Sequence, residues 1–428
     1  MLDLDVIRKD RAATAAALAK RLDAAEVERA LSAIVALDVS RRDLVGRIAD
    51  EQHKRKEAAR AYAAAKRASS GEPLAPPADT KAVVAALEDE LAKVESALHE
   101  EMSALPNLPA DDVVAGGKES NRVLREWGTK PVLSTVVDHT TVAKEYGLVD
   151  FARGTKLGGA GYWMYTGYGA RLEWALLNWF IDQHIAAGYT FLLPPHMLLE
   201  SAGFAAGQFP KFRDDVYHIA NPDSHRPQFL LPTSETAILG AHQDEIFAES
   251  DLPHRAFAYT PCYRRERAGA HSDERGTVRG HQFNKVEIFQ FTTPEQAPEA
   301  FDSMVRQAES LLEGLGLHYR TSLLAAGDAS ASMRKTLDVE VWMPHVGGYK
   351  EVSSVSWAGD YQARRAAIRY RPAQGRTKFL HTLNGSALAT SRILPAILEQ
   401  HQQEDGSVVI PEVLRDRVGT DRLVRPKS

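Results

Sequence analysis

The apolar positions divide the chain into two unlike parts. From about Ser40 to Ser69, and again from about Thr80 to Leu105, hydrophobic residues recur at helical spacing with charges between them. Val84, Leu87, Leu91, Val94 and Leu98 alternate by three and four, which makes a heptad seam. Ile34, Leu37, Leu44 and Ile48 start a matching seam, which then thins to Ala58, Tyr62 and Ala65. The intervening SSGEPLAPPAD is rich in Ser, Gly and Pro and reads as a turn. A short connection makes the two helices antiparallel. About 28 residues each, at 1.5 Å per residue, predict an arm of roughly 40 Å.

From about residue 130 the pattern changes. Strand-like runs (FAYTPCYRR, KVEIFQFT, VEVWMPHV, KEVSSVSW) are interspersed with amphipathic helices such as ARLEWALLNWFIDQHIAAG. That alternation predicts an α+β domain, an antiparallel β-sheet flanked by helices. Between the parts lies ALPNLPADDVVAGGKESNRVLREWG, whose Pro, Gly and Asp mark a boundary. The expected organisation is an N-terminal domain with a helical arm at 1–110, a linker at 111–130 and a second domain at 131–428.

Composition narrows the chemistry. The chain has one cysteine, Cys262, which excludes an internal disulfide and a cysteine-rich zinc site. Fifteen histidines form no HExxH pair, so no zinc is expected. Neither GxGxxG nor GxxxxGK[ST] occurs. No run of about 18 apolar residues is present, so no membrane span is expected, and the charged start MLDLDVIRKDR predicts a cytoplasmic protein. The formal net charge of −5 confines any nucleic-acid contact to local basic patches. One such patch is Lys54, Arg55, Lys56, Arg60, Lys66 and Arg67, near the tip of the arm. By pattern alone the arm reads first as a dimerisation coiled coil or a helical spacer, and second as a stiff probe that meets phosphates.

Two segments carry candidate chemistry. Tyr263-Arg264-Arg265-Glu266 leads from a strand into a loop rich in Gly, Arg, Asp and Glu, followed by HQFNKVE on a second strand. Arginine suits a triphosphate because its guanidinium binds phosphate oxygens in pairs and keeps its charge. The segment from Thr382 to Arg392, TLNGSALATSR, runs from a strand into a helix with an early arginine. Each alone also fits an ordinary hairpin or strand–turn–helix.

Together they resemble motifs 2 and 3 of the class II aminoacyl-tRNA synthetases, and GYTFLLPP resembles motif 1, which lies at a dimer interface. The likeness extends to one family. MLDLDVIRKD, PNLPADDV, GQFPKFRDDVY, LPTSETAILGAHQDEI, HQFNKVE, DVEVW, YKEVSS, DYQARR, LNGSALATSR and EDGSVVIPEVLR are similar in order and spacing to segments of seryl-tRNA synthetases.

That resemblance implies an ATP-dependent ligase that forms seryl-adenylate from L-serine and passes serine to tRNA(Ser), as a homodimer. Arg264 and Arg392 would be catalytic. ATP would be bound by Arg264, Arg265, Glu266, Gly280, Phe283, Glu351, Val352, Ser353, Ser354 and Arg392. Glu351 and Ser354 would hold Mg²⁺. Serine would be bound by Thr233, Ser234, Glu235, Arg264, Glu287, Asn384 and Ser386. A site that hydrogen-bonds a substrate hydroxyl rejects an analogue lacking it, because its own polar groups are then left unpaired. The arm would grip the variable arm of tRNA, which turns its basic cluster into phosphate contacts.

The chain departs from the family pattern in three places: Val355-Ser356-Trp357-Ala358-Gly359-Asp360, Ala387 with Thr390-Ser391, and the C-terminal LRDRVGTDRLVRPKS. Trp357 is expected to add apolar surface near the nucleotide, and the C-terminus is expected to be a variable surface tail. These departures keep open a divergent second copy, serving antibiotic self-resistance or a non-tRNA acceptor.

Overall fold

The computed structural model describes residues 1–68, 81–132, 136–221, 225–266 and 276–426. They divide into two units, Leu2–Pro106 and Asn107–Ser428, the latter with Met1. The turn expected at 69–79 and the loop at 267–275 lie outside the described residues.

The first unit is built on two long antiparallel helices, α1 (Ala24–Ala68) and α2 (Lys81–Ala104). Leu44, Ile48, Val84 and Leu87 are buried in one seam, with Leu91 and Val94 packed against it. α1 starts well before the predicted Ser40. Val27, Leu31 and Ile34 continue the helical period and are buried, as are Ile7 and Leu18 of two short helices before it. Asp38 interrupts the apolar repeat there. Although only 2 % exposed, it is satisfied by Arg8 Nε at 2.9 Å and Arg42 Nε at 3.1 Å. A paired carboxylate can therefore sit inside the helix without ending it. Past Ile48 no large side chain of α1 is buried among the described residues, and Lys54, Arg55, Lys56, Arg60 and Arg67 are exposed. The side chain of Lys66 falls outside the description.

The second unit holds an eight-stranded sheet. Its strands are β1 (Arg122–Trp127), β2 (Thr190–Leu192), β3 (His254–Tyr263), β4 (Gln282–Thr292), β5 (Tyr319–Leu323), β6 (Lys335–Met343), β7 (Gly348–Gly359) and β8 (His381–Ala389). Their spatial order is β1-β5-β6-β7-β8-β4-β3-β2. All neighbours are antiparallel except β2 and β3. The stretch 111–130, expected as a linker, thus contains the edge strand β1. Its side chains are all exposed, so its sequence carries no buried-strand signal.

Side chains alternate across each strand. On one face Val286, Ile288, Val355 and Leu383 join a core with three helices: α3 (Gly167–Ala186), α5 (Ala297–Gly314) and α7 (Thr390–Gln400). The other face carries Lys285, Glu287 and Ser356. It is bordered by α4 (Ser234–Ala241) and α6 (Tyr361–Ala366). Trp357 belongs to the core face. It pairs with Leu383 across the strands, packs near Phe301 of α5 at 6.5 Å, and donates to His381 at 3.3 Å. It therefore adds no apolar surface to the nucleotide region, contrary to expectation. The C-terminus is likewise not a surface tail. Leu414, Val418 and Leu423 are buried in the main core.

Candidate active site

Two adjoining hollows lie on the open face of the sheet and share Arg264, Glu266, Arg279, Lys285, Glu351 and Ser386. Arg264 follows β3 directly. Its backbone is pinned across the hairpin, since its N–H donates to the His281 carbonyl at 2.9 Å and its carbonyl lies 3.1 Å from His281 Nδ1. The guanidinium sits 5.1 Å from the centre of the Phe283 ring, and Nε donates to the Pro232 carbonyl at 3.3 Å. A cation is thereby held over an aromatic face at the junction of both hollows.

The narrower hollow is lined by Val278, Gly280, Phe283, Val352, Ser391 and Arg392 together with the shared residues. Gly280 is required by packing. A Cβ there would stand 2.1 Å from Trp163 Cζ3 and 2.7 Å from the Gly161 carbonyl oxygen. Glu266 pairs with Arg279 and has φ +37°. A side-chain residue held in that region marks a position fixed by its surroundings. Arg392, in the first turn of α7, is held by the Val278 carbonyl at 3.2 Å and the Glu351 carbonyl at 2.8 Å.

β7 carries a register shift opposite Val339 and Glu340, so Val352 is the extra residue. On an unbroken strand Glu351 and Ser354 would point to opposite faces. The bulge brings both onto the cavity. Asp338 lies opposite Ser354 in register, and its buried Oδ1 has no hydrogen-bond partner. Among the described residues, no three His, Cys, Asp or Glu side chains converge to hold a metal by themselves. Two protein oxygens, from Glu351 and Ser354, instead suit Mg²⁺. That ion keeps few protein ligands and fills its octahedron with phosphate oxygens and water.

The wider hollow, about 690 Å³, is lined by Thr233, Glu235, Glu287, Asn384 and Ser386, by Ser354, Ser356 and Met333, and by the turn from Ala206 to Gln208. Glu235 Oε1 accepts from Gln362 Nε2 at 2.6 Å and Asn384 Nδ2 at 3.1 Å. Burial, and then the neighbouring Glu287, raise its carboxyl to about 7, against the pull of the Gln362 hydrogen bond, Lys285 and Arg264. Lys285 and Glu287 lie two apart on β4, face the same side and pair with each other. Lys285 Nζ also donates to Thr233 Oγ1 at 2.8 Å. Ser386 Oγ lies 3.4 Å from Glu287 Oε2. Met333 forms an apolar wall, its sulfur 3.8 Å from Asn384 Nδ2.

Three expected residues do not line either hollow. Arg265 donates to the Asp214 carbonyl at 3.1 Å. Ser234 is bonded to Thr260 at 2.7 Å beneath the sheet surface. Ser353 is fully buried against the Ser386 carbonyl. The site also includes residues that the motifs left unassigned. Lys285 was legible, because it shares the parity of Glu287 on one strand. Arg279 and Gln362 carry no such signal. Gln362 reaches Glu235 across 127 positions of sequence.

Comparison with known proteins covers both units. Residues 1–109 match the seryl-tRNA synthetase N-terminal domain, and residues 217–401 match the tRNA synthetase class II core domain of the G, H, P, S and T enzymes. The chain is 48% identical to the serine–tRNA ligase 2 of Clostridium acetobutylicum, over 99% of this chain and 100% of that protein. It is 42% identical to the serine–tRNA ligase of Rhizorhabdus wittichii over the whole of both chains. Its structure is similar to that of seryl-tRNA synthetase from Pyrococcus horikoshii complexed with ATP, with TM-score 0.92, 31% identity and full coverage of both chains.

Proposed function

Because the chain belongs to the seryl-tRNA synthetase family, we propose that the two hollows hold ATP and serine side by side, with Arg264 at their junction. Its activity is that of an ATP-dependent ligase of serine and tRNA. The observation that carries the site assignment is the position of Arg264, which lines both hollows at once. A cation there meets the α-phosphate and the serine carboxylate together, and it stabilises the charge that builds as the carboxylate attacks phosphorus. Phe283 stacks on adenine and Glu266 accepts from its amino group. Arg392 meets the γ-phosphate. Glu351 and Ser354 would hold a Mg²⁺, which would supply positive charge to the phosphates. The chain thus supplies position and charge, with no covalent nucleophile.

In the serine hollow, Thr233 and Glu235 take the ammonium, and Glu287 with Ser386 takes the hydroxyl. The seryl-adenylate then passes serine to the terminal ribose of tRNA(Ser), bound through the arm. The resemblance of GYTFLLPP to motif 1 supports a homodimer, and Leu193 within it is an exposed apolar side chain. No helix among the described residues is long and apolar enough to cross a membrane. The N-terminal domain match favours a tRNA acceptor over any other, and nothing in the fold favours a specialised copy.

The direct test is ATP–pyrophosphate exchange measured with each of the twenty amino acids. Serine alone is expected to support exchange; exchange with a different amino acid would withdraw the assignment.

The raised carboxyl of Glu235 predicts a pH dependence. Below about pH 7 it holds a proton before serine binds. Pairing with the serine ammonium requires the carboxylate, so binding must release that proton. KM for serine is expected to rise by up to about tenfold per pH unit below 7. KM for ATP stays nearly level over the same range. In Glu235→Gln the serine dependence should vanish and KM be high throughout. A wild-type KM for serine that is flat from pH 5.5 to 8 would refute the role.

A further inference from the structure

Glu173 lies on α3, in the run ARLEWALLNWF, and is only 3 % exposed. Its Oε1 accepts two hydrogen bonds from different parts of the site. One is from Asn284 Nδ2 at 2.8 Å, and the other is from Thr390 Oγ1 at 2.6 Å. Asn284 stands on β4 between Phe283 and Lys285, and its amide oxygen accepts from the Tyr259 hydroxyl at 3.2 Å. Thr390 opens α7 two residues before Arg392. One buried carboxyl therefore ties the strand that stacks adenine to the helix that meets the γ-phosphate. Its other oxygen, Oε2, is buried without a hydrogen-bond partner, as is the Tyr165 hydroxyl.

Resting on the reading of the narrow hollow as the ATP site, we propose that Glu173 is a positioning residue for ATP. Through its two hydrogen bonds it sets the spacing between Phe283 and Arg392. A buried carboxylate needs a cation or several donors. The titratable groups that face Glu173 are Tyr165 and Tyr259, neither of them a cation. Burial raises the carboxyl to about 7, against the hydrogen bonds of Thr390 and Asn284. A purely structural glutamate on this helix would need no bond to both motifs.

The experiment measures ATP affinity by calorimetry, and KM for ATP and for serine by pyrophosphate exchange, in the full-length protein. Glu173→Ala is expected to weaken ATP binding about tenfold and lower kcat, while KM for serine moves less than about twofold. Glu173→Gln keeps the acceptor and is uncharged. It is expected to match wild type within about twofold, at pH 7 and at pH 8.5 alike. Thr390→Val removes one of the two bonds without a new buried acceptor, and should weaken ATP about threefold. The inference is overturned if Glu173→Ala and Thr390→Val bind ATP as wild type does, or if Glu173→Gln is as impaired as Glu173→Ala. Wild type that binds ATP alongside such unaffected variants leaves the site assignment standing. Wild type that binds no ATP overturns both.

Discussion

Arg264→Ala is expected to lower serine-dependent pyrophosphate exchange by at least about 10³-fold, with the fold intact. The size follows from what the guanidinium does. In the proposed site it faces charge that develops on a phosphoryl group, where a fixed cation is worth several orders of magnitude in rate. The intact fold follows from what holds it. Arg264 is half-buried, and its side chain makes a 3.3 Å bond to a carbonyl and a cation–π contact with Phe283. Losing these costs about 1 kcal/mol, well inside ordinary domain stability. Arg264→Lys should recover little, because an ammonium cannot bind phosphate and carboxylate oxygens in pairs. The checks are exchange kinetics beside a thermal melt. Exchange within tenfold of wild type, in a protein that melts normally, would remove Arg264 from the chemistry.

How far sequence could lead to this site depends on the range of each contact. Phe283 and Glu287 lie on β4, and Arg264 and Glu266 directly follow its neighbour β3, so one contiguous segment displays them together. Period-two alternation alone pairs Lys285 with Glu287 and sends Trp357 away from Ser356, toward the helices. The bulge at Val352 is different. Nothing in Glu351-Val352-Ser353-Ser354 announces an extra residue, yet it alone brings Glu351 and Ser354 to one face. Gln362 and Glu173 were equally hidden, since a buried polar side chain on an apolar helix shows its purpose only when its distant partners are in place. The start of α1 was obscured for the opposite reason. Asp38 interrupts the apolar repeat, and one of the arginines that satisfy it, Arg8, comes from another helix. In the C-terminal segment, Leu414, Val418 and Leu423 are spaced too irregularly to reveal a buried face.

Replacing Lys54, Arg55, Lys56, Arg60 and Arg67 together by Ala is expected to leave serine-dependent exchange within about twofold of wild type. The same change should lower kcat/KM for tRNA charging by about 10²- to 10³-fold. All five side chains are exposed, beyond the part of α1 that buries large apolar groups. Alanine is the better helix former, so the helix should persist. The ion pair of the exposed Lys54 with Glu51 is a surface pair within one helix and contributes little. If the arm grips phosphates, the substitution removes its means of meeting an RNA backbone. A-form RNA is read largely through shape and phosphates, so a stiff rod with several cations suffices and few base-reading groups are needed. For every phosphate that the variant no longer neutralises, the salt dependence of tRNA binding should also fall, by about one unit of log–log slope. That slope separates the two roles left open for the arm. A coiled-coil spacer predicts charging and slope both unchanged, and that result would return the arm to a purely structural part. A phosphate-gripping arm predicts a shallower slope together with the loss of charging, while the adenylate step is untouched.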